Sequence, residues 1–225
     1  MEGASMTIPV TQSEAEATAQ GRSTREDWLN LALRSLIKDG IDRVKIQIMS
    51  KRLNVSRSSF YWFFKSQQDL YDQMLDHWLA KNTGPIIQRA LRPASTISEA
   101  ILNVFECWVD EALFDPHLDI AVRLWGRRAP TVLKVVAGAD QQRLDALTAM
   151  FRRYGFAEDD ALVRARVLYF TQIGQYTLDI REDMPVRLSR TRAYLRSFSG
   201  QEPTEKELLR FEALVQATYP GRSPS

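Results

Sequence analysis

The chain has 225 residues, 44% of them hydrophobic and 26% charged, with a formal net charge of +2, the make-up of a soluble globular protein and not of a disordered one. No apolar stretch approaches the roughly 20 residues of a membrane span, the N-terminus lacks the basic-then-apolar order of a secretory signal, and the single Cys107 has no partner for an intramolecular disulfide. A cytoplasmic protein is the expectation. With two scattered histidines, His77 and His117, and no nucleophile–base pair or phosphate loop, neither enzyme chemistry, a metal nor a cofactor is expected.

Residues 1–21 are small, polar and acidic, and read as a flexible arm. Trp28, Leu29, Ala32, Leu33, Leu36 and Ile37 then follow the spacing of an amphipathic helix, stopped by Gly40. A short helix over about 46–53 buries Ile46, Met49 and Leu53. Asn54-Val55-Ser56 reads as a tight turn, since Asn accepts a left-handed conformation and Ser caps a helix. A third helix covers about 57–63. Ser66 with Asp69 resembles a capping box, and opens a long fourth helix to about Leu91.

Arg92-Pro93-Ala94-Ser95 breaks that helix, and Thr96 with Glu99 caps the next, which ends near Asp115-Pro116. Two apolar stripes over 98–114 make it central in its bundle. Further helices fit about 117–127, 130–154, 158–180, 185–198 and 204–218. Strand signals are nearly absent, so the fold class is all-α: a three-helix N-terminal unit feeding a larger helical body. The expected division is an arm at 1–21, a three-helix unit at 22–70, and a larger helical domain at 71–225, joined through the long helix over about 66–91.

Charge is unevenly spread. Residues 22–92 carry 13 Lys/Arg against seven Asp/Glu, whereas 93–225 carry 17 against 18. Between Arg43 and Lys65 there are six bases and no acid. Two short helices with a tight turn, inside a basic three-helix unit, describe a helix-turn-helix, whose second helix lies in a DNA major groove. That second helix carries five consecutive aromatics, Phe60 to Phe64. At 100° per residue, Phe64 sits about 40° from Phe60 and Phe63 about 300°, while Ser58 and Trp62 fall near 160° and 200°. Phe60, Phe63 and Phe64 therefore pack inward, and Ser58, Ser59, Tyr61 and Trp62 face outward with Arg57 leading in. The alternative is that Tyr61 and Trp62 are partly buried against the first or fourth helix.

The stretch IQIMSKRLNVSRSSFYWFFKSQQDL resembles the DNA-binding signature of the TetR family of bacterial transcriptional repressors. Met49, Val55-Ser56, Phe60-Tyr61, Phe64, Ser66 and Leu70 stand at its pattern positions. The resemblance covers about residues 25–75. Leu124-Trp125-Gly126, then Asp140, Arg143, Leu147 and Phe151 to Gly155, are similar to such proteins too, more loosely. What it implies is that Arg57, Ser58, Ser59 and Tyr61 face the groove, with Gln47 a base or phosphate contact and Lys45, Lys65 and Gln67 phosphate contacts; Ser56 and the outward Trp62 are further candidates to meet DNA. Three departures stand out: Phe63 replaces a common histidine, Gln67 a nearly standard lysine, and Asn54 a glycine. An amide at Gln67 can still donate to a phosphate, but without charge.

In the body, Phe105, Cys107, Trp108, Trp125, Phe170 and Tyr176 are candidates for an effector pocket, although aromatics at helical spacing equally serve as core. Tyr169, Gln172 and Tyr176 share one helical side and offer polar handles. The resemblance also implies a homodimer formed through two C-terminal helices. Ala161, Ala165, Leu168 and Gln172 mix small and apolar residues at a spacing suited to close helix packing, across a dimer interface or inside the chain. The resulting expectation is a DNA-binding repressor released from a pseudo-palindromic operator by a small-molecule effector. An all-α lipid or isoprenoid carrier of similar fold that does not bind DNA is the alternative, and Gln67 in place of a lysine is what favours it.

Overall fold

A computed structural model describes residues 23–180 and 182–218, so the expected N-terminal arm lies outside the described residues. These residues form ten α-helices and no strand. The chain divides between Met74 and Leu75 into two compact units.

In the N-terminal unit, α1 spans Arg25–Asp39 and is opened by a reciprocal capping box. The Asp27 amide donates to Thr24 Oγ1 at 3.1 Å, and the Thr24 amide donates to Asp27 Oδ2 at 2.8 Å. Gly40 ends the helix at φ 79°. Helix α2 spans Ile46–Leu53. Arg52 pins it to α1, donating to Ser35 Oγ and to Asp39 Oδ2, each at 2.9 Å. Asn54 follows in the left-handed region, φ 54° and ψ 45°, which redirects the chain into the next element. Asn54→Gly is expected to leave stability nearly unchanged. Asn54→Val should cost about 1–2 kcal/mol, the strain of a left-handed β-branched residue, in a urea titration.

The second element of the motif is a 3₁₀ helix, Arg57–Trp62, and not the α-helix expected. Its inner face is aromatic nonetheless. Phe60 meets Trp28 edge-on at 5.2 Å and stacks on Phe64 at 5.0 Å, and all three rings are buried. Helix α3 spans Gln67–Trp78. Ser66 Oγ accepts from the Asp69 amide at 3.1 Å as the sequence suggests, but Asp69 returns the bond to the amide of Lys65, at 2.7 Å.

The fourth helix is not continuous to Leu91. A π-helical segment, Leu79–Thr83, separates α3 from α4, Gly84–Leu91. Pro85 accounts for the break, because its ring clashes with the carbonyl four residues back and it has no N–H to give. Helix α5, Ile97–Val109, is buried over almost its whole length. It stops short of the expected end because Asp110 Oδ1 takes the Ala112 amide at 2.8 Å, a local bond that competes with the helix. Then come α6 (Pro116–Gly126), α7 (Pro130–Arg153), α8 (Glu158–Thr177), α9 (Met184–Ser199) and α10 (Glu205–Thr218). Pro130 begins α7 and Gly155, at φ 85°, follows it, as expected from the sequence. Ile101, Val104, Leu147, Phe151, Leu168, Leu195 and Phe211 bring α5, α7, α8, α9 and α10 into one core.

Candidate nucleic-acid interface and body cavity

Of the ten residues expected to meet DNA, eight are exposed: Lys45, Gln47, Ser56, Arg57, Ser58, Tyr61, Trp62 and Lys65. Tyr61 and Trp62 are 60% and 78% exposed, which for large aromatic rings in a folded unit is extreme. Lys45 stands at the N-cap of α2 without a side-chain capping bond, so the amides of the first turn point outward together with the helix's positive end. Ser56 and Ser58 share a hydroxyl–hydroxyl bond of 2.8 Å.

Two residues are placed otherwise. Ser59 is buried, and its hydroxyl donates to the Ser56 carbonyl at 2.7 Å, a local bond that holds the short side chain against its own backbone. Gln67 is half-buried, and its amide nitrogen donates to the Val44 carbonyl at 3.1 Å and to the Tyr71 hydroxyl. Tyr71 donates to the same carbonyl at 3.1 Å. The Gln67 amide is thus spent on tying α3 to the segment that precedes α2, and not on an external phosphate. Phe63 is half-buried.

The body holds a buried charge network. Arg143 on α7 is fully buried. It donates to Tyr169 Oη at 2.7 Å, to Thr83 Oγ1 at 2.9 Å and to Asp119 Oδ1 at 3.2 Å, with its guanidinium 5.1 Å from the Trp78 ring centroid. Trp78 Nε1 also donates to Asp119 Oδ1, at 2.9 Å. Arg123 grips Asp140 through two bonds of 2.6 and 2.8 Å. Burial works against the Arg123 charge, but Asp140 and Asp119 outweigh it and hold its pKa above the usual arginine range. Burial also pushes Asp140 upward, yet Arg123, Tyr169 and Arg143 together leave it below the ordinary carboxylate value.

A cavity of about 50 Å³ opens between α5, α8, α9 and α10. Phe105, Trp108, Leu168 and Phe198 form its apolar wall, and Gln172, Arg187 and Tyr194 supply polar groups. Among the residues expected to form a pocket, Phe105 and Trp108 line this space, and four do not. Cys107 is buried in the core, where desolvation pushes its thiol up to about 12. Trp125 is buried on α6. Tyr176 stacks on Phe114 at 5.6 Å, and Phe170 is 54% exposed. Nothing in the sequence around Arg187 distinguishes it from a solvated base in the first turns of a helix.

The face of α8 expected at a dimer interface is turned inward. Ala161, Ala165, Leu168 and Gln172 are buried in the chain's own body. The opposite face carries Val163, Val167 and Phe170, all exposed. Gly174 continues that row, and a Cβ there would touch nothing within 4 Å.

The comparisons with known proteins agree with this geometry. Residues 29–74 match the family model described as "Bacterial regulatory proteins, tetR family". No curated protein matches the chain. Among solved structures, GusR of Salmonella enterica is 15% identical, covering 86% of this chain and 94% of its own, with a TM-score of 0.54. AmtR of Mycobacterium smegmatis is 14% identical and covers 91% and 98%, at 0.56. A transcriptional regulator from Rhodococcus sp. Rha1 is 15% identical and covers 87% and 97%, also at 0.56. At these identities the three likenesses speak for the fold alone, and the helix-turn-helix match carries the assignment. Residues 29–74 thus carry the helix-turn-helix of the tetR family of bacterial regulatory proteins, and the chain as a whole shares the fold of transcriptional regulators of that kind.

Proposed function

We propose that the protein is a homodimeric repressor that holds a pseudo-palindromic operator and releases it when a small molecule occupies the body cavity. One observation carries the DNA-binding half. Arg57, Ser58, Tyr61 and Trp62 stand exposed on the second element of the motif, within a stretch from Arg43 to Lys65 that has six bases and no acid. Guanidinium, hydroxyl and indole N–H groups donate to phosphates and base edges, and the rings have thymine methyls to pack on. The division of labour follows from the two units: DNA contact in the N-terminal one, effector and partner in the helical body. For dimerisation, the exposed row Val163, Val167 and Phe170 supports a twofold contact through α8, with Leu209 on α10 a second exposed apolar residue. Phe105 and Trp108 support the cavity as the effector's place. The effector shifts the DNA-binding equilibrium only by its difference in affinity for the two conformations.

Selection of bound fragments from the source genome, followed by quantitative retention at several salt concentrations, tests this reading. Arg57→Ala should weaken operator binding by about 1–3 kcal/mol and relax sequence preference. Lys45→Ala should weaken all sequences alike and reduce the salt slope by about one. If low salt retains no fragment and Arg57→Ala changes nothing, the repressor reading fails and the carrier reading takes its place.

A further inference from the structure

The cavity between α5, α8, α9 and α10 has an unusual balance of hydrogen-bonding groups. Gln172 is only 7% exposed, and its buried amide Nε2 has no well-formed hydrogen bond, only an interaction with the Tyr176 hydroxyl that leaves at least one of its two N–H groups unmet. Leaving a buried amide N–H unmet costs about 1–3 kcal/mol, and each such group in a native fold calls for a reason. Arg187 lines the same space, half-buried, and among the described residues its guanidinium makes no hydrogen bond or ion pair. The Tyr194 hydroxyl accepts from Gln175 Nε2 at 3.1 Å and keeps its own proton to offer. The acid on the wall, Glu182, is already engaged by Arg190.

The wall thus offers several donors, one of them an unpaired cation, beside the neutral acceptor oxygens of Thr171, Gln175 and Thr191, all set against Phe105, Trp108, Leu168 and Phe198. We infer that this cavity binds a small monocarboxylate, its carboxylate taken by Arg187 and Gln172 and its carbon part lying on the aromatic wall. The inference rests on the effector reading above and names the chemistry of the effector. A planar carboxylate matches the fork of a guanidinium with two parallel bonds and leaves a lone pair for an amide N–H. A phosphate ester carries a second charge for which the wall, among the described residues, has no second free cation. Size points the same way. At roughly 10–15 Å³ for each water-sized position, about 50 Å³ holds three to five such positions, room for a carboxylate with a short or compact carbon skeleton. A nucleotide or phosphosugar exceeds it. The Arg187 charge reaches the interior: burial drives Tyr176 above its ordinary pKa, and Arg187 is the first group pulling it back, followed by Gln172.

Titration calorimetry on the full-length protein with butyrate and benzoate, against butyramide, benzamide and benzylamine, tests the inference. Saturable binding of at least one acid is expected, at least tenfold tighter than its amide, with no binding of the amine. Arg187→Gln should erase the difference between acid and amide, and Arg187→Lys should restore part of it. Gln172→Leu should weaken the acid while leaving thermal unfolding no worse, because it removes an unmet polar group. Absence of saturable binding by both acids overturns the carboxylate assignment, as does equal binding of acid and amide, or an Arg187→Gln variant with unchanged affinity. DNA retention separates this from the reading beneath it. An acid that binds but leaves the operator held refutes the effector role while the site stands. Operator binding that no acid affects or accompanies refutes the carboxylate site while the repressor stands.

Discussion

Arg143→Ala is expected to destabilise the helical body by about 3–5 kcal/mol, the loss found when one partner of a buried ion pair is removed. Arg143 is wholly buried on α7, and Asp119 on α6, its acidic partner at 3.2 Å, is buried with it. Removing the guanidinium strips Asp119 of one cation and leaves the Thr83 hydroxyl oxygen without its donor, while the Tyr169 oxygen keeps only the bond from Arg123 at 2.8 Å. It also removes the plane that lies over Trp78. Arg123 still reaches Asp119 at 2.7 Å, so the carboxylate is not left fully unpaired and the upper end of the range is not expected. Urea titration followed by far-ultraviolet circular dichroism measures the loss. The double variant Arg143→Met/Asp119→Asn should recover a substantial part of it, because a neutral pair of similar volume has no charge to orphan. A single-variant loss below about 1 kcal/mol would show that the network is incidental to the fold.

Phe170→Glu, alone or with Val167→Glu, is expected to turn the proposed dimer into monomers. Val163, Val167 and Phe170 stand four and three residues apart on α8, and each is about half exposed. A twofold contact through one helix face sets each residue near its own copy, so a glutamate there meets a second glutamate in a desolvated setting. A central aromatic residue is worth about 2 kcal/mol or more at such an interface, which is some thirtyfold or more in the dissociation constant. Sedimentation velocity reads the assembly state directly. Operator binding should fall with it, because one helix-turn-helix unit spans one half-site. Unchanged thermal unfolding of the monomer is not expected, since obligate dimers lose stability on dissociation. If both variants sediment as dimers, the contact lies elsewhere.

The sequence foretold much of this architecture because its stop and start signals are local. Thr96 takes the Glu99 amide at 3.0 Å, Ser66 that of Asp69, and Pro130 and Gly155 bracket α7. The inward and outward sides of the aromatic run were legible as well, since only one side of so short an element can reach Trp28. What escaped depends on partners far along the chain. Helix α8 has two apolar rows, one through Ala161, Ala165, Leu168 and Gln172 and one through Val163, Val167 and Phe170. Periodicity alone does not say which one the rest of the chain covers. The inner row belongs to the core because α5 and α7 close over it. Arg143 and Asp119 stand on two separate helices, and nothing local in the sequence pairs them. Gln67 looked like a weakened phosphate ligand, yet its partner, the Val44 carbonyl, lies 23 residues earlier.

Of the five tryptophans, Trp28, Trp78, Trp108 and Trp125 are buried and Trp62 alone stands in water. The protein therefore carries an optical label on the surface proposed for operator contact, with no dye attached. A collisional quencher such as acrylamide sees Trp62 first, and whatever covers that surface shields it, so intrinsic fluorescence reports occupancy of the recognition element against a background of four sheltered indoles.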